Sequence, residues 1–532
     1  REQRPDVDDV YMQAVQMMTG SGGWPLSVFL TPDGKPFYGG TYFPPHDMMG
    51  RPGFERILLA IEDAWRDKRQ DLLTSADKMT ELLAQQSAGQ NQPGPGTETL
   101  TRAESQLEQM FEPEYGGFSD APKFPQPSTL LFLMRYHHRT GDKVSIAMVE
   151  KTLDSMAAGG IHDHLGGGFH RYSTDRTWLV PHFEKMLYDQ ALLARAYVEA
   201  WQITGRQSYS QTARDVFDYV LREMTDAQGG FYSAEDADSE GGEGSYYLWQ
   251  PDEVVDLLGT ETAEIFNARY GVAKQGNFEH GKSILSIVKS AEQLSDQFGK
   301  EPAEIRRLLA AVGQKLLAKR DTRPRPHLDD KVITGWNGLM IWSLAYGGSA
   351  LDDAGYVKAA ERAAEFILSN VRPDGRLQRY YRSGRAVEPA FLDDYAFLVL
   401  GLVELYEATF DAKWLAEAKD LAKDMIDLFH DSENGGFFLT GSDQPDLIAR
   451  RKPAYDGAVP SGNSIATLAL LRLGHITRED HFNSVAEQSL SHYSAQIEAS
   501  PISLTAMLMA ADLHIGPTRE IIIAGSPTET DT

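Results

Sequence analysis

Two kinds of helical pattern alternate along most of the chain. The runs 128–136, 183–201, 336–346, 391–406, 464–473 and 504–513 are apolar on every side, which is the signature of helices buried all round. Between them lie one-striped segments: 209–224 and 414–429 clearly, 356–367 similarly, 144–156 and 481–493 more weakly. Such stripes predict helices that lie on an outer layer and face inward. Gly-Gly-Phe loops recur beside this alternation, at Gly116-Gly117-Phe118, Gly167-Gly168-Phe169, Gly229-Gly230-Phe231 and Gly435-Gly436-Phe437. The spacing from 168 to 230 is 62 residues, and from Gly375, in a related loop, to 436 it is 61. A fixed period of helix pairs predicts a repeat architecture. Six inner helices are counted, and the helix at 98–111 supplies the sixth outer partner. The prediction is a mainly α fold, a six-hairpin (α/α) barrel or toroid over 98–515, interrupted by an insertion at about 233–320. The glycines permit tight returns and the Phe plugs a core, while loops gathered at a concave mouth are also where function concentrates.

The chain before residue 90 reads differently. Residues 6–19 have a helical pattern, 26–30 and 35–43 read as a hairpin around Thr31-Pro32-Asp33-Gly34, and 54–83 reads as one helix. This predicts a small, truncated α/β unit over 1–90, joined to the barrel by a linker at 91–97 that contains Pro93-Gly94-Pro95-Gly96. After the barrel, 516–532 starts an apolar strand at Ile521-Ile522-Ile523 and then stops. With Arg1 as its first residue, the sequence reads as a fragment or a processed form, cut at both ends.

Composition narrows the functions. Lys and Arg number 51 against 77 Asp and Glu, a formal net charge of −26. With no Lys/Arg-rich run, neither nucleic acid nor an anionic membrane surface is expected as a partner. No apolar run approaches the ~18 residues of a membrane span, and a cytoplasmic location is expected. The chain has no cysteine, which removes disulfides, thiolate metal sites, Cys nucleophiles and dithiol chemistry from these residues.

Four of the 14 histidines fall in one stretch, His162, His164, His170 and His182. Pro181 is expected just before or in the first turn of an inner helix, so His182 and Glu184 belong at the mouth. There His182 suits general acid or base work near neutral pH. Glu184 orients it, acts as a second acid/base group, or only favours the helix N-terminus electrostatically. His162-x-His164 also reads as a metal pair, but its spacing matches no strong zinc signature, and no metal or other cofactor is expected. Asp236 and Asp238 lie in an acidic run that starts like a calcium loop and fails at its twelfth position, Tyr247. Followed by Tyr246-Tyr247-Leu248-Trp249, that run fits either a sugar subsite or a solvated acidic loop over a buried hairpin. Trp336 with Asn337, Asp393 with Asp394 and Tyr395, and Asp456 repeat a polar-plus-aromatic or polar-plus-glycine theme at other inner-helix starts. Two carboxylates facing across a mouth support glycoside hydrolysis, and N-capping by Asp393, Ser461 or Asn463 is the competing explanation for each alone. Lys123, Arg171, Arg176 and Lys185 are expected to form a basic pocket, and Trp178 joins the substrate-binding candidates.

Several of these stretches carry a resemblance. They are Arg1-Glu2-Gln3-Arg4-Pro5-Asp6, Gly22-Gly23-Trp24-Pro25-Leu26, Gly39-Gly40-Thr41-Tyr42-Phe43-Pro44-Pro45, Pro122-Lys123-Phe124-Pro125, 166–171, 181–189, 235–244, 329–337 and Asp393-Asp394-Tyr395. Together the chain resembles the thioredoxin-domain proteins of the spermatogenesis-associated protein twenty type. The resemblance implies a thioredoxin-like domain followed by a six-hairpin barrel like those of N-acylglucosamine 2-epimerases and some glycosidases. It also implies a Cys-x-x-Cys upstream of the segment where this sequence begins, with Trp24-Pro25 in the place of the thioredoxin cis-proline. By analogy with epimerase-like relatives, His182 and His170 are the candidates for proton exchange beside a sugar carbonyl.

Two functions follow as expectations. In the first, the barrel binds or acts on a carbohydrate through acid/base groups at its mouth, with His182, Glu184, His170 and Asp394 catalytic. In the second, the barrel is a non-catalytic scaffold for a small-molecule, oligosaccharide or protein ligand, coupled to thioredoxin-type redox function in a longer parent.

Overall fold

The computed structural model describes residues 1–48, 50–85, 92–444 and 447–517. The apolar strand expected at 521–523 lies outside them.

The N-terminal unit comprises α1 (Pro5–Thr19), a hairpin of Ser27–Leu30 with Pro36–Gly40, α2 (Phe54–Asp67) and α3 (Arg69–Gln85). The hairpin is antiparallel, Ser27 opposite Gly40 and Phe29 opposite Tyr38, and the Trp24–Pro25 peptide is cis. The single helix expected over 54–83 is broken at Lys68, whose φ of −131° is not helical. The break redirects the chain after Trp65, whose ring stacks on Phe37 at 5.7 Å. It lets α3 bury Ala76 and Leu83 against α1 and the hairpin.

The rest is the ring of hairpins. Outer α4 (Thr97–Met110) comes first, followed by inner α5 (Pro127–Thr140) and outer α6 (Lys143–Ala158), then α7 (Leu187–Thr204) and α8 (Gln207–Glu223). The insertion adds α9 (Pro251–Leu258), α10 (Thr260–Tyr270), α11 (Ala291–Phe298) and α12 (Pro302–Arg320). The ring resumes with α13 (Thr334–Ala350) and α14 (Ala354–Asn370), α15 (Leu392–Thr409) and α16 (Ala412–Phe429), α17 (Gly462–Thr477) and α18 (Asp480–Ala499), and ends at α19 (Thr505–Ile515). The inner helices contact one another in order, and α19 packs back on α5, which closes the toroid. They are buried on all sides, as 187–200 in α7 illustrate.

Four return loops share one construction. In each, an acidic residue and a glycine exchange backbone hydrogen bonds: Glu112 with Gly116 and Gly117, Asp163 with Gly167 and Gly168, Asp226 with Gly229 and Gly230, Asp431 with Gly435 and Gly436. The first glycine lies against an outer helix; a Cβ on Gly167 would stand 2.3 Å from the Asp215 carbonyl, and one on Gly435 2.6 Å from that of Gln488. Both have φ near +75°, so steric room and backbone conformation both demand glycine. The following Phe169, Phe231 and Phe437 are fully buried.

An amide from the next inner helix locks three of these Phe residues in place. Gln190, Asn337 and Asn463 each accept from the Phe N–H at 2.7–2.8 Å and donate to its carbonyl at 2.8–2.9 Å. Lysines complete two loops: Lys185 Nζ donates to Asp163 and the Gly167 carbonyl at 2.8 and 2.9 Å, and Lys452 Nζ to Asp431 and the Gly435 carbonyl at 2.6 and 2.8 Å. Away from the helix starts the barrel axis is crossed by ion pairs, Arg135 with Glu199, Arg195 with Glu404, and Arg472 with Glu404. No described helix is long and apolar enough to cross a membrane.

Candidate functional site

The inner-helix starts define the mouth, and a cluster of candidate residues is built where the chain enters α7. The helix expected from 183 begins at Leu187. Residues 181–182 instead pair with 172–173, and 185–186 pair with 234–235. His182 and Glu184 therefore sit on extended chain leading into the helix. Extended backbone throws successive side chains to opposite faces, so His182 and Glu184 share one face while Lys185 turns into the protein.

On that face Glu184 is the hub. Its Oε2 accepts from Arg171 Nη1 at 2.8 Å and lies 3.4 Å from His182 Nε2. The His182 Nδ1 is 2.8 Å from Glu243 Oε1 on the short hairpin of Asp238–Ser239 with Gly242–Glu243, and its ring stacks on Tyr172. Hydrogen bonds from His182 and Arg171 hold the Glu184 carboxyl down at about 2. The same carboxylate and Glu243 raise the pKa of His182.

Beneath Arg171 are the first residues of α7. Tyr188 and Asp189 are each 2% exposed. Asp189 Oδ2 and Arg171 Nε are buried with no hydrogen-bond partner among the described residues, and the buried Tyr188 hydroxyl faces the Arg171 guanidinium. Burial pushes the Asp189 carboxyl well above its ordinary range; the Arg171 charge opposes this and the Glu184 charge adds to it. Trp336, third residue of α13, meets the Tyr188 ring edge-on at 4.9 Å. The corner thus holds a carboxyl whose pKa burial raises, a carboxylate held low, an arginine whose charge acts on both and two aromatic rings. Buried polar atoms are normally satisfied, so the unpartnered Asp189 Oδ2 and Arg171 Nε set this corner apart from the saturated helix entries around it.

The structure brings His182, Glu184, Arg171 and Trp336 together and places the other candidates elsewhere. His170 is 2% exposed, with its Nδ1 3.0 Å from the Phe183 carbonyl and its ring against Tyr247 and Phe183; burial depresses its pKa well below the ordinary value. Lys123 is buried against Glu112 and the Arg176 carbonyl, and Trp178 is buried with its Nε1 donating to the Tyr115 carbonyl. Lys185 belongs to the loop lock, so the four cations do not form one pocket. Asn337 is the amide lock of Phe231. Tyr395 takes the equivalent place in its repeat, its hydroxyl accepting from Leu377 N and Arg376 Nη1. Asp394 accepts from Gly335 N, Phe391 N and Arg379. Its neighbour Asp393, second residue of α15, packs against Gly462 at the start of α17, and burial lifts its carboxyl to about 6. Asp456 clamps two helix entries, accepting from Ser461 N, Ala506 N and Met507 N. Asp236 and Asp238 are exposed, while Tyr246, Tyr247 and Trp249 are buried in the insertion's own cores.

Tyr188 and Asp189 do not stand out in the sequence. The signal that finds them is positional: Asp189 is the third residue of α7 as Asp394 is of α15 and Trp336 of α13.

Known proteins share parts of this chain's sequence and fold. Residues 1–84 match the family model Thioredox_DsbH, described as a protein of unknown function, DUF255. Among solved structures, the chain is similar to a D-mannose isomerase, at 11% identity and TM-score 0.49 over 75% of this chain and 85% of that one. Spermatogenesis-associated protein 20 of Rattus norvegicus is 40% identical over 100% of this chain and 73% of its own length. The human protein of the same name is also 40% identical, again over 100% of this chain and 73% of its own. The chain therefore belongs to the spermatogenesis-associated protein 20 family.

Proposed function

We propose that the barrel mouth binds a carbohydrate and carries out acid–base chemistry on it. One observation carries the reading: two carboxyl groups in one corner are pushed in opposite directions, Asp189 upward by burial and Glu184 down to about 2 by His182 and Arg171. Environments that push paired titratable groups apart assign an acid and a base. Asp189, buried and with its proton affinity raised by that burial, takes the part of proton donor. Glu184 is the ionised partner, and His182 relays its proton toward Glu243 on the rim. Arg171 and the Tyr188 hydroxyl supply donors to ligand oxygens, and Trp336 with Tyr188 presents the apolar surface that a sugar face covers. The same groups serve protonation of a glycosidic oxygen or exchange of a proton beside a sugar carbonyl.

The test is a panel of mono- and oligosaccharides offered to the whole chain, read by product analysis and by deuterium incorporation from solvent. Turnover that falls about 10²–10⁴-fold in Asp189→Asn and Glu184→Gln, with the fold intact, supports the assignment. Full turnover in both variants removes it. Saturable binding without turnover assigns the mouth to the scaffold role instead.

A further inference from the structure

The N-terminal unit does not merely precede the barrel; its first residues engage the mouth. Arg379 Nε donates to the Glu2 carbonyl at 2.8 Å, and its Nη1 donates to Asp394 Oδ1 at 2.8 Å. That same carboxylate oxygen accepts from Gly335 N at the start of α13. Seven residues on, Asp9 pairs with Arg451 at 2.6 Å, on the chain that leads toward α17. Arg1 lies near enough to Tyr188 for its charge to act on the phenol. The segment therefore touches Arg379, whose other donor bonds Asp394 at the entry of α15, and Arg451 on the chain ahead of α17. Its own unit holds it from behind: Arg1 stacks on Trp24 at 3.7 Å, Trp24 Nε1 donates to Asp8 at 2.7 Å, and Arg4 pairs with Asp6.

The joint has the character of one that opens. Among the described residues it includes the hydrogen bond from the Arg379 guanidinium to the Glu2 carbonyl, a partly exposed ion pair with side chains 24% and 12% exposed, and an apolar patch of Val10, Tyr11, Ile448 and Ala449. Small, polar joints between units permit relative motion. Through Arg379, Asp394 and Gly335 the joint adjoins Trp336, whose ring meets Tyr188, the neighbour of Asp189 with its unpartnered carboxyl oxygen. We infer that residues 1–9 are a lid on the barrel mouth, latched by Glu2 on Arg379 and by Asp9 on Arg451, and that the N-terminal unit controls admission to the Asp189 corner. The inference rests on the reading of the mouth as a ligand site only for what the lid admits.

The absence of cysteine from the sequence makes the lid measurable. Tyr188→Cys places the sole thiol under it, and an aromatic disulfide reagent reports how fast that thiol is reached. Labelling is expected to be slow with the latch intact and at least ~10-fold faster when Asp9→Asn or Arg451→Gln is added. A thiol placed by Phe410→Cys, at a side chain 80% exposed just past α15, is expected to label fast in every background. An unchanged rate at 188 in both latch variants overturns the lid, as does labelling there as fast as at 410 with the latch intact. Should Tyr188→Cys not fold, amide hydrogen exchange of residues 187–192 in the cysteine-free latch variants decides the question in the same way: faster exchange supports the lid and unchanged exchange overturns it. Neither readout needs a sugar, so faster access with no carbohydrate bound keeps the lid and discards the proposed function.

Discussion

Asp189 and Asp394 occupy the same place in two repeats, third residue of an inner helix, and both are buried. Their surroundings differ. Asp394 receives two backbone N–H groups, one from α13 and one from its own helix entry, and pairs with buried Arg379. Asp189 leaves one oxygen with no partner among the described residues. Burial raises the pKa of both; at Asp394 an arginine and two N–H bonds pull back, while at Asp189 only the Arg171 charge does, against Glu184. Position in a repeat does not assign a role; the count of satisfied lone pairs does. A saturated carboxylate is a clamp between helices, and an unsaturated one keeps an acceptor open, the feature on which the proposed acid–base role of Asp189 rests.

The sharpest way to break this contrast is to remove each carboxylate. Asp394→Ala strands the Arg379 guanidinium, which is 4% exposed, and loss of one partner of a buried pair costs about 3–5 kcal/mol. Chemical denaturation should show that loss. Asp189→Asn should show none at neutral pH and a gain instead. The raised folded pKa means that stability is full below the unfolded carboxyl value of about 3.9 and declines as pH rises toward the folded value. An amide removes that decline, so variant and parent should converge near pH 3 and separate above it. Equal destabilisation by both substitutions would refute the distinction.

A second step separates a lock from a ligand group. Asn337 is fully buried and bonds the Phe231 backbone twice and the Ile333 carbonyl once. Asn337→Ala leaves the Phe231 N–H and carbonyl without partners, at a cost of about 1–3 kcal/mol. Denaturation midpoints should fall by that amount, and the affinity of any mouth ligand should stay within about twofold. A large loss of affinity with unchanged stability would return Asn337 to the site.

The alternation of all-apolar and one-striped segments was enough to read the ring from the sequence, because burial on all sides writes itself into every turn of a helix such as 187–200. The loop period was legible for the same reason: only glycine fits at Gly167 and Gly435. The site was legible only in part. His182, Glu184 and Arg171 stood out as charged groups near a helix start, but their β-like pairing with 172–173 and 234–235 depends on partners far along the chain. Nothing local distinguishes the lock Asn337 from a ligand group, or the clamp Asp394 from the unsatisfied Asp189. That distinction lies in which N–H groups the folded ring brings to each carboxylate. The break at Lys68 and the reach of residues 1–9 to the mouth are likewise tertiary.

Within the corner itself, pH offers a finer test. The raised pKa of His182 means its pairing contributes fully below the unfolded histidine value of about 6.5 and fades as pH rises through the folded value. The groups facing it are Glu184, Glu243 and, across Glu184, Arg171. For so exposed a cluster the effect is at most about 1 kcal/mol. Glu184→Gln should lower the His182 pKa, observable in its ring proton resonances, and flatten stability between pH 6 and 8. An unmoved His182 titration would detach it from Glu184.

The smallest expected effect falls on the acidic run. Asp236 and Asp238 are exposed. Asp236 accepts from the N–H of Ala237 and, at 3.5 Å, from that of Asp238. Asp236→Asn with Asp238→Asn should therefore shift stability by less than about 0.5 kcal/mol. Their connection to the corner is the hairpin that carries Glu243 to His182. If the double variant nonetheless weakens carbohydrate binding while the His182 titration stays in place, the rim itself touches ligand, and the site extends from the Asp189 corner across to the acidic loop. If binding and titration are both unchanged, the loop is a solvated edge and the ligand is confined to the corner under residues 1–9.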